Sequence, residues 1–303
     1  MSLPSYASGL EKLWYWTFRA ICALIFLFLM APVLIVIPLS FNVEPYFTFT
    51  EKMLALDPEG YSLRWYDSLL TFGMQNPDAP RDIGWWGDAW RNATWVNAAR
   101  NSVIIGVFST LLATVLGTVA ALGLSRPEMP YRRAVMAILL SPMIVPIIIT
   151  ATGLFFFYSM TGLASTYTGV ILAHATLGIP FVIITVTATL VGFDASLTRA
   201  AASLGAPPAT TFFRITMPLI LPGVISGALF AFVTSFDEVV VVLFVAAVDQ
   251  QTIPRQMWNG IREQISPAIL AVATILVVVS IALLTVVELL RRRSERLRGV
   301  TPQ

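Results

Sequence analysis

The sequence predicts an all-α polytopic membrane protein with six transmembrane helices, on three observations. Of the 303 residues 57% are hydrophobic and 12% charged, roughly half the charged fraction of a soluble domain, and the mean hydropathy is +0.78. Six long apolar runs reach the ~20 residues that a helix needs to cross a bilayer. Lys and Arg gather in the segments on one side of those runs. A net charge of +2 is too small to argue for a nucleic-acid partner. The single cysteine, Cys22, excludes an intramolecular disulfide or a Cys-cluster metal site, and the single histidine, His174, excludes a His cluster.

The spans fall at about 20–39, 102–122, 134–157, 168–191, 219–245 and 268–290. They are too long for strands and lack two-residue alternation. The first has a basic flank, Lys12 and Arg19. It exceeds a signal-peptide core and no small-x-small site follows, so it reads as an uncleaved span. With both termini in the cytoplasm, twelve Lys and Arg lie inside (Lys12, Arg19, Arg126, Arg132, Arg133, Arg199, Arg214, Arg291, Arg292, Arg293, Arg296, Arg298) and seven in outside loops. That bias sets the orientation. The run 291–298 reads as a stop-transfer anchor at the last span, with a nucleic-acid or lipid patch as the alternative.

The outside loop 41–100 is too long for a plain connection. It holds Trp65, Trp85, Trp86, Trp90 and Trp95, residues that favour the membrane–water interface. Leu63, Tyr66 and Leu70 recur at helical spacing, which predicts a short amphipathic helix on the membrane. The loop either caps the outer face or helps dock an external partner.

The inside loop 193–223 carries the most specific pattern. Asp194 or Ser196 can cap a helix. Leu197, Ala200, Ala201 and Leu204 then share one helical face, Gly205 suits the residue after the helix end, and Pro207-Pro208 stops continuation. A second short helix, about 209–215, presents Phe212 and Phe213, and Met217-Pro218 marks entry into the fifth span. Small and apolar residues on an exposed loop favour a docking element over a plain connection.

This loop resembles the EAA loop of type I ABC importer permeases: EAA, three variable residues, Gly, a spacer, Ile, a variable residue and Leu-Pro. Here the pattern reads Arg199-Ala200-Ala201, Gly205, Ile215 and Met217-Pro218. The resemblance spans residues 101–303, including the Asn101-Ser102 entry to span two. It implies a five-helix core (101–303) with a cytoplasmic coupling loop (194–216), preceded by an added span and long periplasmic loop (1–100). It further implies that Arg199, Ala200, Ala201, Leu204, Gly205, Phe212, Phe213, Ile215 and Pro218 form the coupling loop that enters a groove on an ATPase, with Ala200, Ala201 and Gly205 carrying the contact. Arg199 departs from the family's Glu and reverses its charge; Met217 for Leu conserves volume.

The chain cannot power itself through a P-loop, because its two lysines, Lys12 and Lys52, each follow a Glu and the motif needs Gly-Lys-Ser/Thr. No catalytic residue, metal site or cofactor is expected in it; ATP and Mg belong to a partner. In the fifth span Asp237 and Glu238 stand where a carboxylate is costly and functional by default. Glu238 lies ~16 residues past Pro222, roughly 24 Å along a helix. Adjacent residues point about 100° apart, so one is expected to line the pathway and the other to pair with a neighbour, in an order left open. The spans contain no Lys or Arg to pair with them. The segment SFDEVVVVLFV is similar to the acidic motif of spermidine/putrescine permeases, which implies a polyamine as substrate.

The expectation is therefore a multi-pass inner-membrane permease subunit with a second, similar permease, two ATPase subunits, a periplasmic substrate-binding protein and membrane lipids as partners. Another substrate (an amino-acid derivative, opine or metal complex) is the first alternative. An ion-coupled secondary transporter is the second, disfavoured by the coupling loop and by the lack of a visible inverted repeat. His174 reads as a hydrogen-bonded structural residue or a proton relay.

Overall fold

The computed structural model describes residues 8–126, 128–194, 196–263 and 266–297. In chain order its helices are α1 (Gly9–Leu39), α2 (Glu51–Leu54), α3 (Arg64–Thr71), α4 (Ile83–Asn92), α5 (Thr94–Leu124), α6 (Arg132–Ile144) and α7 (Ile147–Thr161). There follow α8 (Tyr167–Val191), α9 (Ser196–Ser203), α10 (Pro208–Thr211), α11 (Met217–Asp237), α12 (Val240–Val245), α13 (Ile253–Glu263) and α14 (Ala268–Leu297). A π turn, Phe212–Thr216, joins α10 to α11. Internal packing divides the chain into two units, Met1–Phe72 with Gly260–Gln303, and Gly73–Asn259. The division expected at 100/101 falls inside α5.

Three helices, α1, α5 and α8, and the run Pro208–Asp237 are each long and apolar enough to cross a membrane without a break. The third span, expected as one helix over 134–157, is instead the pair α6–α7, bent by 103°. Pro146 is the cause: it has no N–H to donate and it drives Val145 into extended backbone, φ −71° and ψ 133°. The pair still crosses. It starts after the C-terminal end of α5, while Tyr158 near its far end packs with Val170 at the start of α8. Ala268–Ala282 of α14, where the sixth span is expected, is a shorter apolar stretch. The basic run 291–298 falls on the end of α14; its side chains, and all of Arg298, lie outside the described residues.

In the first unit, a Ser8–Glu11 capping box starts α1. The buried Asn42 folds the following loop: its Nδ2 donates to the carbonyls of Tyr46 and Thr48, and Trp65 Nε1 donates to the Asn42 carbonyl at 2.7 Å. The amphipathic helix expected in this loop forms as α3, one residue after Leu63. Leu63 is exposed and Leu69 is the buried anchor, because α3 packs against α14 and turns its Trp65–Leu69 side inward.

In the second unit, α5, α8 and α11 pack as a trio over Ala113, Ala121, Ala175, Val182, Val186, Val224 and Ala231. Small residues allow this, since apolar helices in lipid associate by close packing and hydrogen bonds. A Cβ built on Gly227 would meet Thr185 Oγ1 at 2.5 Å and Val182 Cα at 2.7 Å. Glycine is therefore required where α11 lies on α8. A second cluster joins α7, α8 and α12 through Ala151, Tyr158, Ala173, Val241, Val242 and Val245.

Candidate functional site

The trio encloses a polar relay. His174 of α8, 1% exposed, places Nδ1 2.8 Å from Ser235 Oγ of α11. Ser109 Oγ of α5 lies 2.9 Å from Ser235 Oγ and 3.2 Å from the Gly106 carbonyl. The Ser109 hydroxyl donates to Ser235 Oγ, which shares a second hydrogen bond with His174 Nδ1. His174 Nε2 is buried without a partner among the described residues. This is the hydrogen-bonded structural histidine of the sequence reading.

Two residues beyond Ser235 the fifth span stops. α11 ends at Asp237, Glu238 is extended (φ −73°, ψ 124°), and α12 resumes at Val240. The expectation of one continuous helix over 219–245 is thus corrected. The carboxylate of Glu238 accepts the Val241 N–H at 2.9 Å and is only 7% exposed. It caps the resumed helix, an energetically favoured place for an acid. Asp237 is exposed at the C-terminal end of α11, where the helix dipole makes an acid unfavourable. The adjacent carboxylates therefore occupy opposite electrostatic situations, although both stand in one broken span.

Arg255 of α13 holds the other end of α12. Its Nη1 donates to the carbonyls of Val242 at 2.6 Å and Ala246 at 3.3 Å, and partial burial pushes its guanidinium below the usual arginine range. Sequence reading missed both the helix break and Arg255. The fifth span has no Pro or Gly between Gly227 and Val245 to signal the break, and Arg255 lies ten residues past the end of α12, in α13.

At the opposite end of α8 the loop 194–216 folds as a helix–turn–helix. Asp194 Oδ1 accepts the Ser196 N–H at 2.8 Å and starts α9; hydrogen bonds from Ser196 and the nearby Arg199 charge hold its carboxyl below the usual aspartate range. Gly205, at φ +77°, lets the Ala206 N–H reach the Ala201 carbonyl and the Gly205 N–H the Ala202 carbonyl, a Schellman end. Leu197, Arg199, Ala200, Leu204, Gly205 and Phe213 are exposed. Ala201 turns inward at 6% exposure, and Phe212 stacks edge-on with Phe213 at 5.0 Å. The second short helix, expected over 209–215 as a separate element, runs through the π turn into α11 without a break at Pro218, and Ile215 lies on that turn. Ala195 lies outside the described residues.

A family model described as "Binding-protein-dependent transport system inner membrane component" matches residues 113–297. The chain is 31% identical over 276 residues (91% of it, 96% of the relative) to the spermidine/putrescine transport system permease protein PotC of Haemophilus influenzae. It is 29% identical over 258 residues (83% and 82%) to the putrescine transport system permease protein PotI of Escherichia coli. Among solved structures, a bacterial ABC transporter involved in the import of the acidic polysaccharide alginate superposes with a TM-score of 0.67 over 95% of this chain and 99% of that one, at 16% identity; that likeness concerns the fold. By these matches, this chain belongs to the binding-protein-dependent transport system inner membrane component family.

Proposed function

We propose that this permease forms part of the membrane channel of an ATP-driven importer for a polyamine such as spermidine or putrescine. The observation that carries the reading is the exposed Asp237 at the C-terminal end of α11. An acid there is the wrong sign for the helix dipole, so it suits a cation in transit rather than stability. Ammonium groups leaving water need charged or polar replacements. Glu238 serves the same site by setting the break that exposes Asp237. The relatives named for spermidine and putrescine transport support this choice.

ATP hydrolysis belongs to separate ATPase chains. The α9 loop with Arg199, Ala200, Leu204, Gly205 and Phe213 is their contact, and a second permease and an external binding protein complete the machine. Both termini face the cytoplasm, by the distribution of Lys and Arg. Movement of the ATPases is transmitted through α9 and the rigid α5–α8–α11 trio to the break at Glu238.

The test is uptake of labelled spermidine and putrescine by vesicles carrying the assembled complex. Uptake that requires ATP and the binding protein, persists without an ion gradient and drops on Asp237→Asn fits the proposal. Uptake driven by an ion gradient alone would replace it with the secondary-transporter reading. ATP-driven uptake only of an amino-acid derivative, opine or metal complex would keep the machine and change the cargo.

A further inference from the structure

While Ser235 of α11 turns inward to His174, Asp237 belongs to a second, outward face of the same helix. Ser226, Phe230, Val233 and Asp237 are all exposed. At about 100° per residue, Ser226 and Phe230 fall within about 20° of Asp237 and Val233 within about 40°, so the four form one stripe. The outward face of α5 differs: over 103–119 every exposed side chain is apolar, Val107, Leu111, Val115 and Val119 among them, as suits lipid. A carboxylate and a hydroxyl on the α11 stripe suit a water-bearing path instead, where ionisable side chains of membrane helices point.

Phe230 precedes Asp237 by seven residues, about 10.5 Å along the axis. Its ring stacks on Phe181 of α8, with centroids 6.1 Å and planes 22° apart. Stacking holds the ring in place, and Phe230 is still 54% exposed, so much of it stays open beside the stripe. The other aromatic pair of α11 is placed differently. Phe232 stacks with Phe236 and lies 3.2 Å from a Cβ built on Gly106 of α5, so that pair packs helix on helix. α8 and α11 contain no Lys or Arg, and Asp237 is their one carboxylate. No basic side chain of these two helices competes for the open ring.

An aromatic face attracts a cation through its quadrupole and asks for no hydrogen bond in return. A polyamine carries several ammonium groups along one flexible chain. We propose that the Phe230 ring, braced by Phe181, is a second cation station on the path, receiving one ammonium of the polyamine while Asp237 receives another. The proposal rests on the polyamine reading above and extends it from one charge to two unlike subsites on one helix face.

The test places phenylalanines with one, two and three ring fluorines at position 230. Labelled spermidine uptake is then followed in vesicles carrying the assembled complex, with binding protein and ATP. Fluorine draws charge from the ring face and leaves the ring's shape almost unchanged. Uptake at limiting spermidine is expected to fall stepwise, to about a fifth with three fluorines. The melting temperature and the ATP hydrolysis stimulated by loaded binding protein should stay as they are. Phe230→Leu should show a similar loss, and Phe230→Tyr, which keeps the ring face, should recover it. Uptake independent of fluorine number overturns the ring station and leaves the polyamine reading standing. A loss in Phe230→Leu that Tyr does not recover assigns the ring to packing on Phe181 and also overturns the station. No spermidine or putrescine uptake by the unaltered complex removes the polyamine reading and the station together.

Discussion

Glu238 and Arg255 hold opposite ends of the same six-residue helix. The carboxylate meets the first turn of α12 at the Val241 N–H, 2.9 Å away, and the guanidinium meets the last carbonyls at 2.6 and 3.3 Å. Each charge complements the dipole end it touches. An α-helix of six residues has no stability of its own, so these two side chains and the packing of Val241, Val242 and Val245 on α7 and α8 keep it in place.

Removing the guanidinium therefore unseats α12 from its C-terminal end. Arg255→Ala should lower unfolding stability by about 1.5–3 kcal/mol, the range for hydrogen bonds to a charged group. Arg255→Lys should retain part of that, because it keeps the charge and loses the planar fork. Thermal unfolding of the purified complex measures both; equal loss for Ala and Lys would assign the effect to the fork alone.

Much of this was legible before any coordinates. Six spans, their order and the loop around Gly205 follow from apolar runs and from turn residues whose chemistry is local. The two span breaks were not equally legible. The Val145–Pro146 break has a proline that states its reason, though proline within a span also fits an unbroken helix, as Pro180 in α8 shows. The Glu238 break has no such marker. It is held by Glu238 at one end of α12 and, seventeen residues on in sequence, by Arg255 at the other, with α7 packed on the helix, and no periodicity encodes a long-range partner. The same limit hid the inward turn of Ala201, which depends on α10 folding back.

The Ser109–Ser235–His174 relay is a coupled unit, so its members should not act additively. Ser235→Ala leaves His174 Nδ1 and Ser109 without their shared partner, at about 1–3 kcal/mol. Once Ser235 is Ala, His174→Phe should cost less than it does alone. A double-mutant cycle on thermal stability checks this, with a coupling near the ~0.6 kcal/mol average of membrane helix pairs expected. Strict additivity would dissolve the relay into two unrelated contacts.

The close approach of α11 to α8 predicts intolerance at Gly227. A Cβ there falls within 2.7 Å of Val182 Cα, which is backbone and cannot swing aside. Gly227→Val should cost roughly 1–3 kcal/mol or more by overpacking. Gly153, with nothing within 4 Å of a built Cβ, is the control: Gly153→Ala should leave the melting temperature nearly unchanged. Similar effects at both sites would contradict the packing described.

Acid pH offers a separate handle on α9. Asp194 has its carboxyl held below its ordinary value of 3.8, chiefly by hydrogen bonds from Ser196. Because the folded form favours the ionised acid, its contribution is complete above the ordinary aspartate range and disappears as pH falls through the lowered value. Amide exchange over 196–203 should thus be unaffected by this group from pH 7 to pH 5. It should quicken only below the ordinary range, whereas Asp194→Ala should quicken it at every pH. Faster exchange beginning well above pH 4 would point to a different group.

The adjacent acids separate most sharply when substituted alike. Glu238→Ala deletes the side-chain acceptor of the Val241 N–H in the first turn of α12, which costs about 0.5–2 kcal/mol, while Glu238→Gln keeps an oxygen that can accept it and should lose less. Asp237 caps nothing and stands at the dipole's unfavourable end, so Asp237→Asn should leave stability unchanged or slightly raised. Transport should show the reverse order. Asp237→Asn removes the exposed charge and should reduce uptake of a polyamine at low concentration about tenfold, the effect of ~1.4 kcal/mol on cation binding. Glu238→Gln should reduce uptake only as far as it loosens α12. Stability and uptake measured on the same preparations decide the matter. Were Glu238→Gln to abolish uptake with stability intact while Asp237→Asn did nothing, the buried acid would be the one that meets the cargo, and the break would open a path to Glu238 rather than display Asp237.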